Sequence, residues 1–297
     1  MKIFITGASG FIGGAVAATL AKAGHAVRGL IRDPSRADEL RAFGIEPVVG
    51  TLDDSPLLQD EARAADAVIN AADSDHGGAV DAMLEALRGS GKRFIHTSGS
   101  SLVADDALGQ PSEARFDEAT PITPVPAKAA RIAINDRILA AAPGVHGVVL
   151  CHSLIYGNAL GPRAQSVQIP PLVAQAQASG IARHVGRGLN RWSNVHIADV
   201  AALYVLALSE APAGSFYFVE NGEASFSDLV GAIANRLGLG AAQPWPPADA
   251  IACWGKDLGA YALGSNSRVS ADKAREELGW SPRHASVLGW IECEMPR

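Results

Sequence analysis

The sequence predicts an α/β fold with a doubly wound parallel sheet covered by helices on both faces. Short apolar, β-favouring runs alternate with helical patterns through the first half, and the runs lack polar/apolar alternation, as expected of strands buried on both faces. The predicted strands are 2–7, 26–32, 46–50, 66–72, 93–99 and 147–153. The helical patterns between them lie at 11–23, 35–43, 77–89 and 128–142.

The pattern loosens after residue 153. Proline and glycine cluster at 157–171 and 240–247. The helical patterns there are short and lie at 199–209, 226–237 and 270–278. A chain of 297 residues is long enough for one large α/β domain or for a nucleotide domain with a smaller partner.

Composition excludes several classes of protein. The net charge of −6 has no basic tract to offset it, which argues against a nucleic-acid surface. No apolar run approaches the roughly 18 residues of a membrane span, and the N-terminus resembles a strand and turn rather than a secretory signal. The three cysteines have no metal-ligand spacing and form an odd set. We therefore expect a soluble protein of the reducing cytoplasm, without a metal site.

The strongest motif is the glycine-rich turn between the first strand and the first helix. Gly7 permits a tight turn, Gly10 lets the backbone approach a pyrophosphate, and Gly13 allows the helix to pack closely on the strand. The helix N-terminus offers free N–H groups to phosphates. The alternative is a turn without a ligand. The residues expected to contact a dinucleotide here are Gly7, Ser9, Gly10, Phe11, Ile12 and Gly13.

The end of the second strand bears on the choice of cofactor. An acidic residue there binds the ribose 2′-hydroxyl of NAD, whereas arginine suits the 2′-phosphate of NADP. Arg32 occupies this position and Arg36 follows one turn later, so guanidinium donors can meet a phosphate. We therefore favour NADP. NAD stays the alternative, since Asp33 can serve a ribose and the arginines can be solvated surface residues.

Several motifs together resemble one family. They are "TGASGFIGG", "FIHTSGSS", "SLIYG", "WSNVHIADVA" and "ELGWSP", in that order. With these motifs in this order and spacing, the chain resembles the extended short-chain dehydrogenase/reductases, the family of sugar-nucleotide epimerases and dehydratases. Within that family it most resembles the atypical NAD-dependent epimerase/dehydratase members. The resemblance implies a Rossmann domain formed by residues 1–153. The later segment 194–220 returns to this domain. The resemblance also implies a smaller C-terminal α/β substrate domain, formed by 154–193 and 221–297, across the cofactor cleft.

The resemblance implies further cofactor contacts. The family's adenine-binding Gly-Asp-Leu falls on residues 50–52, where Thr51 replaces the aspartate and Leu52 can still cover the ring. Ala71, Ala72 and Thr97 are placed beside the cofactor, and Lys128 can bind the nicotinamide ribose as the family lysine does.

The family's proton-transfer residues are incomplete. They are a serine after the fifth strand and a Tyr-x-x-x-Lys on the next helix. The serine falls on Gly99. If the lysine is Lys128, proline stands at the tyrosine position; if the lysine is replaced by Arg131, alanine does. No tyrosine precedes residue 156.

Other residues can replace the missing acid. His152 lies at the C-terminal end of a predicted parallel strand, which is the cleft side of such a sheet, and its ordinary pKa suits proton transfer near neutrality. Tyr156 follows it, and Ser98 and Ser100 offer hydroxyls nearby. A lone histidine is more often structural, and the tyrosine can simply pack.

Two other polar groups have structural interpretations. Asp73, Asp75 and His76 follow the fourth strand, where a helix cap is the favoured role. His196 and Asp199 are expected to bond the backbone at the domain junction.

The substrate side is less defined. Trp192, Trp245, Trp254 and Tyr261 can line an apolar pocket, and only Arg163 and Arg191 are obvious partners for an anion. This favours a small or apolar carbonyl compound over a sugar diphosphate. Two hypotheses follow: an NADP-dependent oxidoreductase with altered proton donation, acting as a monomer or homodimer, or an inactive NADP(H)-binding sensor or regulator.

Overall fold

The computed structural model describes residues 1–162 and 164–297. The strands are β1 (Lys2–Thr6), β2 (Ala26–Ile31), β3 (Ile45–Val49), β4 (Ala67–Asn70), β5 (Arg93–Gly99), β6 (His146–His152), β7 (Leu154–Tyr156), β8 (Arg183–Val185), β9 (Arg191–His196), β10 (Ser215–Val219), β11 (Glu223–Ser225) and β12 (Gln243–Trp245). The helices are α1 (Phe11–Lys22), α2 (Ala37–Ala42), α3 (Ser55–Ala64), α4 (Gly77–Leu87), α5 (Ala129–Ala140), α6 (Ile169–Ser179), α7 (Ile197–Ser209), α8 (Phe226–Leu237), α9 (Pro247–Lys256), α10 (Asp272–Leu278) and α11 (Val287–Cys293).

A seven-stranded parallel sheet forms the centre of the fold, in the order β10-β6-β5-β4-β1-β2-β3. The predicted doubly wound fold is therefore confirmed. The strand β10 comes late in the chain and pairs with β6, so that Val219 lies beside His152. Because β2 lies on one side of β1 and β4 on the other, the order in which the chain adds strands reverses at β1, and dinucleotides bind at this point in such folds.

The buried strands divide their side chains between two cores. Ile3 and Ile5 of β1 pack on one face with α1 and α7, whereas Phe4 between them packs on the other face with α4 and α5. Both faces are covered by helices, so apolar residues on both sides of each strand are buried. This explains why the strand segments in the sequence show no alternation of polar and apolar residues.

A second core lies in the C-terminal half. It contains Leu154 and Tyr156 of β7, Phe226 of α8 and Trp290 of α11. The strands β11, β9 and β7 form a three-stranded sheet beside it, and β12 pairs with β8. The boundaries proposed at residues 153, 193 and 220 stay a prediction that these separate cores support.

The junction between the two cores is fixed by α7. The His196 side chain caps α7 by accepting a hydrogen bond from the backbone N–H of Ala198. The Asp199 carboxylate accepts from the backbone N–H groups of Arg283 and His284, at 2.9 Å each. Their predicted backbone-bonding role is confirmed.

Among residues 1–162 and 164–297, no helix is long and apolar enough to cross a membrane.

Candidate cofactor and active site

A cleft of ≈ 550 Å³ opens at the carboxyl edge of the parallel sheet. Its walls come from the β1–α1 turn, the ends of β4, β5 and β6, the start of α5, and loops of the C-terminal half. The structure brings together here a large share of the residues singled out from the sequence, namely Gly10, Phe11, Ile12, Ala71, Ala72, Thr97, Ser98, Ser100, Lys128, His152, Trp192 and Tyr261.

The glycine turn has the geometry of a phosphate cradle. Gly7 has φ +70°, and a Cβ there would lie 2.6 Å from the Ala71 carbonyl oxygen. A Cβ on Gly13 would lie 2.3 Å from the Gly7 carbonyl oxygen. Gly10 faces the cleft, and no side chain caps α1 behind it. The first N–H groups of α1 can therefore receive a phosphate, and the residues present fit a dinucleotide.

The end of β4 is fastened to this turn. The Thr6 hydroxyl donates to the Asn70 side-chain carbonyl at 2.5 Å and accepts from the Ala71 N–H at 3.1 Å. Ala71 and Ala72 are thereby held as part of the cleft wall beside the glycine turn.

Arg32 is exposed directly after β2. Its neighbour Asp33 accepts hydrogen bonds from both the hydroxyl and the N–H of Ser35, and these bonds hold the pKa of Asp33 below its ordinary value. The Asp33 carboxylate is thus engaged in its own turn. Arg32 and Asp33 are both exposed, and Arg32 is the cation at this position.

Arg36 connects α2 with the glycine turn. One guanidinium nitrogen donates to the Ser9 carbonyl oxygen at 3.0 Å, and another donates to the Glu39 carboxylate at 2.9 Å.

The predicted adenine contacts Thr51 and Leu52 follow β3. Neither is among the described residues that line the cleft. The Thr51 hydroxyl accepts from the N–H of Asp53, and the Leu52 side chain packs against the core beneath α3.

The start of α5 carries a cation, Arg131, whose contacts the sequence did not predict. Arg131 donates to both carboxylate oxygens of Asp75, at 2.8 and 2.5 Å, and to the Ser101 hydroxyl at 2.8 Å. Its side chain is only 13% exposed, yet it lines the cleft with Lys128. A Cβ on Gly99 would lie 3.1 Å from the Arg131 guanidinium. The glycine that replaces the family serine therefore makes room for this arginine.

The charges of this pair stabilise each other. The hydrogen bond from Arg131 holds the pKa of Asp75 below its ordinary value, despite the opposing effect of burial. Burial works against the Arg131 charge, but bonding to Asp75 outweighs it and raises the pKa of Arg131.

The cap predicted at the start of α4 is confirmed for His76, whose side chain accepts a hydrogen bond from the Ala79 N–H. Asp73 accepts from the N–H of Asp75.

The two predicted serines are held by protein partners. The Ser98 hydroxyl accepts from the Asn135 amide at 3.1 Å, and the Ser100 hydroxyl bonds the Ser267 hydroxyl at 2.7 Å. Both serines are almost completely buried. Each lines the cleft with a hydroxyl that already has a partner.

His152 does not have the properties expected of an acid. Burial lowers its pKa to about 3, so the imidazole is neutral at physiological pH. Its Nε2 bonds the Tyr204 hydroxyl at 3.0 Å, and that hydroxyl bonds Thr97 at 2.6 Å. This environment weighs against the predicted proton donation by His152, because it makes the side chain a neutral part of a buried hydrogen-bond chain.

The position of Tyr156 corrects the prediction that it donates a proton. Its side chain is completely buried in the C-terminal core, and its hydroxyl donates to the His284 carbonyl oxygen at 2.8 Å. Its ring packs edge-on against His196 with centroids 5.2 Å apart. The tyrosine therefore fills the packing role that the sequence allowed.

The far wall of the cleft carries a cluster of apolar side chains beside polar ones such as Gln165 and Asp257. Trp192 and Tyr261 line it together with Ile155, Val167 and Leu258. The Trp192 indole N–H donates to the Ser265 carbonyl oxygen at 3.0 Å, which leaves the ring as wall surface.

The other predicted substrate contacts are elsewhere. Trp245 and Trp254 pack against each other with centroids 5.1 Å apart, outside the cleft lining. Arg191 donates to the Glu223 carboxylate at 2.6 Å and does not reach the cleft, while Arg163 lies outside the described residues. In the described parts of the chain, no cluster of three histidine, cysteine, aspartate or glutamate side chains could hold a metal ion.

Comparison with protein families agrees with this geometry. The model of the NAD dependent epimerase/dehydratase family matches residues 3–219. The chain belongs to that family.

Curated relatives extend over nearly the whole chain. The chain is 30% identical to an oxidase of Acremonium sp over 95% of its length and 92% of the relative's. It is 27% identical, over the same shares, to the 4-hydroxy-2-methyl-3-oxo-4-farnesyl-3,4-dihydroquinoline-1-oxide ketoreductase of Stigmatella aurantiaca. The dTDP-glucose 4,6-dehydratase of Streptomyces venezuelae, solved with NAD bound, superimposes with a TM-score of 0.78 at 20% identity, covering 98% of this chain and 95% of that one. At that identity the likeness concerns the fold.

Proposed function

We propose that this member of the family is an NADP-dependent oxidoreductase that interconverts a small or apolar carbonyl compound and its alcohol. The observation that carries the proposal is the cleft itself. It joins the glycine turn at one end to a cluster of apolar side chains at the other, and the ends of β5 and β6 lie between them. A dinucleotide placed on the turn would present its reactive ring to this middle region.

The cofactor would be held by residues on three elements. The N–H groups at the start of α1 would bind the pyrophosphate, Arg32 and Arg36 the 2′-phosphate, and Lys128 the nicotinamide ribose. Bound NADPH would supply the hydride. The protein's task is then to position the carbonyl carbon and to stabilise the oxygen as its charge develops.

The charges in the cleft support a small or apolar substrate. Lys128 and Arg131 are the cations among the described lining residues, and Arg131 is already paired with Asp75. A sugar diphosphate would require several free cations. The name of the Stigmatella relative describes a ketone that carries a farnesyl chain, which agrees with an apolar carbonyl substrate.

The test combines binding with turnover. The purified protein is titrated with NADPH and NADH, then incubated with NADPH and a panel of aldehydes, ketones and quinones while the nicotinamide absorbance is followed. The proposal expects substrate-dependent loss of absorbance. Tight NADPH binding with no turnover across the panel would favour the sensor hypothesis instead, and absence of binding would contradict both.

We further propose a cytoplasmic protein that is a monomer or homodimer. Its three cysteines are all unpaired, as expected in a reducing compartment.

A further inference from the structure

The four tyrosines of the chain have very different surroundings. Tyr156, Tyr204 and Tyr217 are completely buried, and their hydroxyls bond His284, Thr97 and Glu277 respectively. Tyr261 instead lines the cleft from the far wall. A phenol is therefore present in the cleft, although the position where the family carries one holds proline or alanine.

The backbone around Tyr261 is unusual and firmly held. Gly255 breaks α9 with φ 78° and ψ 165°, and a π-helical turn, Asp257–Ala262, follows. Single π-turns are rare and frequent at functional sites. The Ser265 hydroxyl donates to the Tyr261 carbonyl oxygen at 2.6 Å, and the Gln168 amide donates to the Ala262 carbonyl oxygen at 2.9 Å. These bonds fix the segment as part of the cleft wall.

This segment is also fastened to the end of β5. The Ser267 hydroxyl bonds the Ser100 hydroxyl at 2.7 Å and donates to the Ser100 carbonyl oxygen at 2.9 Å. The Trp192 indole bonds the Ser265 carbonyl oxygen in the same segment. The chain that carries Tyr261 is thus attached to Ser100, directly after the residue at which the resemblance places the family serine.

A lysine accompanies the phenol. The Lys256 ammonium lies 5.4 Å from the centroid of the Tyr261 ring. The interaction with Tyr261 raises the pKa of Lys256, and the carboxylates of Asp106 and Asp257 add to this effect. The lysine therefore keeps its charge at neutral pH. A positive charge beside a phenol stabilises the phenolate that remains once the proton has been donated.

We propose that Tyr261 is the proton donor of the reaction and that the exposed Lys256 beside its ring stabilises its phenolate, so that the far wall supplies the phenol missing from the start of α5. The inference rests on the proposed function. As hydride forms the new C–H bond, the carbonyl π electrons move to oxygen; the Tyr261 O–H bond breaks and its proton completes the alcohol. Water beside Lys256 then returns a proton to the phenolate, and the two electrons of the reduction come from NADPH, which leaves as NADP⁺.

A spectroscopic titration tests the pair without turnover. Tyrosinate absorbance is followed with pH in the wild type, Tyr261→Phe and Lys256→Met. Burial raises the pKa of Tyr156 and Tyr204, and that of Tyr217 to about 12. We expect one ionisation step of the wild type to vanish in Tyr261→Phe, and the same step to move to higher pH in Lys256→Met. A step unchanged by Lys256→Met would overturn the pairing.

Kinetics test the proton donation. Tyr261→Phe should lower kcat by about 100-fold or more while the NADPH dissociation constant stays unchanged. Lys256→Arg should retain more activity than Lys256→Met, and Tyr217→Phe serves as the matched control outside the cleft. Full kcat in Tyr261→Phe would overturn the inference and leave the oxidoreductase function standing. If the wild type binds NADPH but turns over nothing, the proposed function fails, while the titration still decides whether the pair exists.

Discussion

At the scale of single residues, Gly99 and Arg131 fit together in the cleft wall. The resemblance places the family serine at Gly99, and the Arg131 guanidinium, which is bonded to Asp75 and Ser101, lies where a side chain at residue 99 would stand. Glycine and arginine at these positions are thus complementary.

Removing Arg131 should destabilise the protein. Arg131→Leu would leave the hydrogen-bonding groups of Asp75 and Ser101 without their partner, and we expect a loss of about 1 to 3 kcal/mol in the free energy of unfolding. Arg63→Leu is the control, because its ion pair with Asp60 is exposed on both sides and should matter by less than about 0.5 kcal/mol. Denaturant unfolding measures both, and equal losses would contradict the role given to Arg131.

Arg32 should determine the cofactor preference. Its exposed guanidinium follows β2, while the neighbouring Asp33 is engaged with Ser35. Arg32→Ala should weaken NADPH binding by about 1.5 to 3 kcal/mol and leave NADH binding unchanged. Arg41→Ala on α2 is the control. Equal affinities of the wild type for the two cofactors would rule out this assignment.

At the scale of elements, the glycine turn and α1 form one close-packed unit. Gly13→Ala would place a Cβ 2.3 Å from the Gly7 carbonyl oxygen and should push α1 off β1, with a loss of stability and of NADPH affinity. Gly231 in α8 has no heavy atom within 4 Å of such a Cβ. Gly231→Ala should therefore stabilise the protein by about 0.5 to 1 kcal/mol, through helix propensity alone. Thermal unfolding of both variants checks the contrast, and a destabilising Gly231→Ala would speak against it.

Local patterns predicted six of the seven strands of the parallel sheet, because each of these strands is set by its own apolar run, whereas β10 and α3 were not predicted. The strand β5 spans the predicted 93–99, and α8 the predicted 226–237. The π-helical turn that carries Tyr261 has no such local signature. The pairing of Arg131 with Asp75 depends on two segments that meet only after the sheet has formed, so the sequence offered the residues but not their contact.

At the scale of the whole molecule, buried neutral histidines should make stability depend on pH. Burial lowers the pKa of His96 to about 4 and that of His152 to about 3. Below pH 6.5 the unfolded chain takes up protons that the folded protein does not. Stability is therefore complete above that pH and falls as the pH drops toward 4, by up to about 1.4 kcal/mol per pH unit for each histidine.

Denaturant unfolding at pH 7 and pH 5 measures this dependence. The double variant His96→Gln, His152→Gln should show a shallower pH dependence than the wild type, and His25→Gln, in the exposed contact with the amino terminus, should not change it. Equal stability of the wild type at both pH values would mean that these histidines accept protons in the folded state.

Hydride transfer is the central claim, and isotopic labelling tests it most directly. NADPH that carries deuterium at one face of the nicotinamide C4 is supplied with a carbonyl substrate found in the panel, and the alcohol is analysed by mass spectrometry. The oxidoreductase proposal predicts that deuterium appears at the carbinol carbon with one of the two labelled faces and not with the other. The proposal would be contradicted if NADPH were consumed without any alcohol being formed. It would also be contradicted if the alcohol carried no deuterium whichever face of the nicotinamide was labelled.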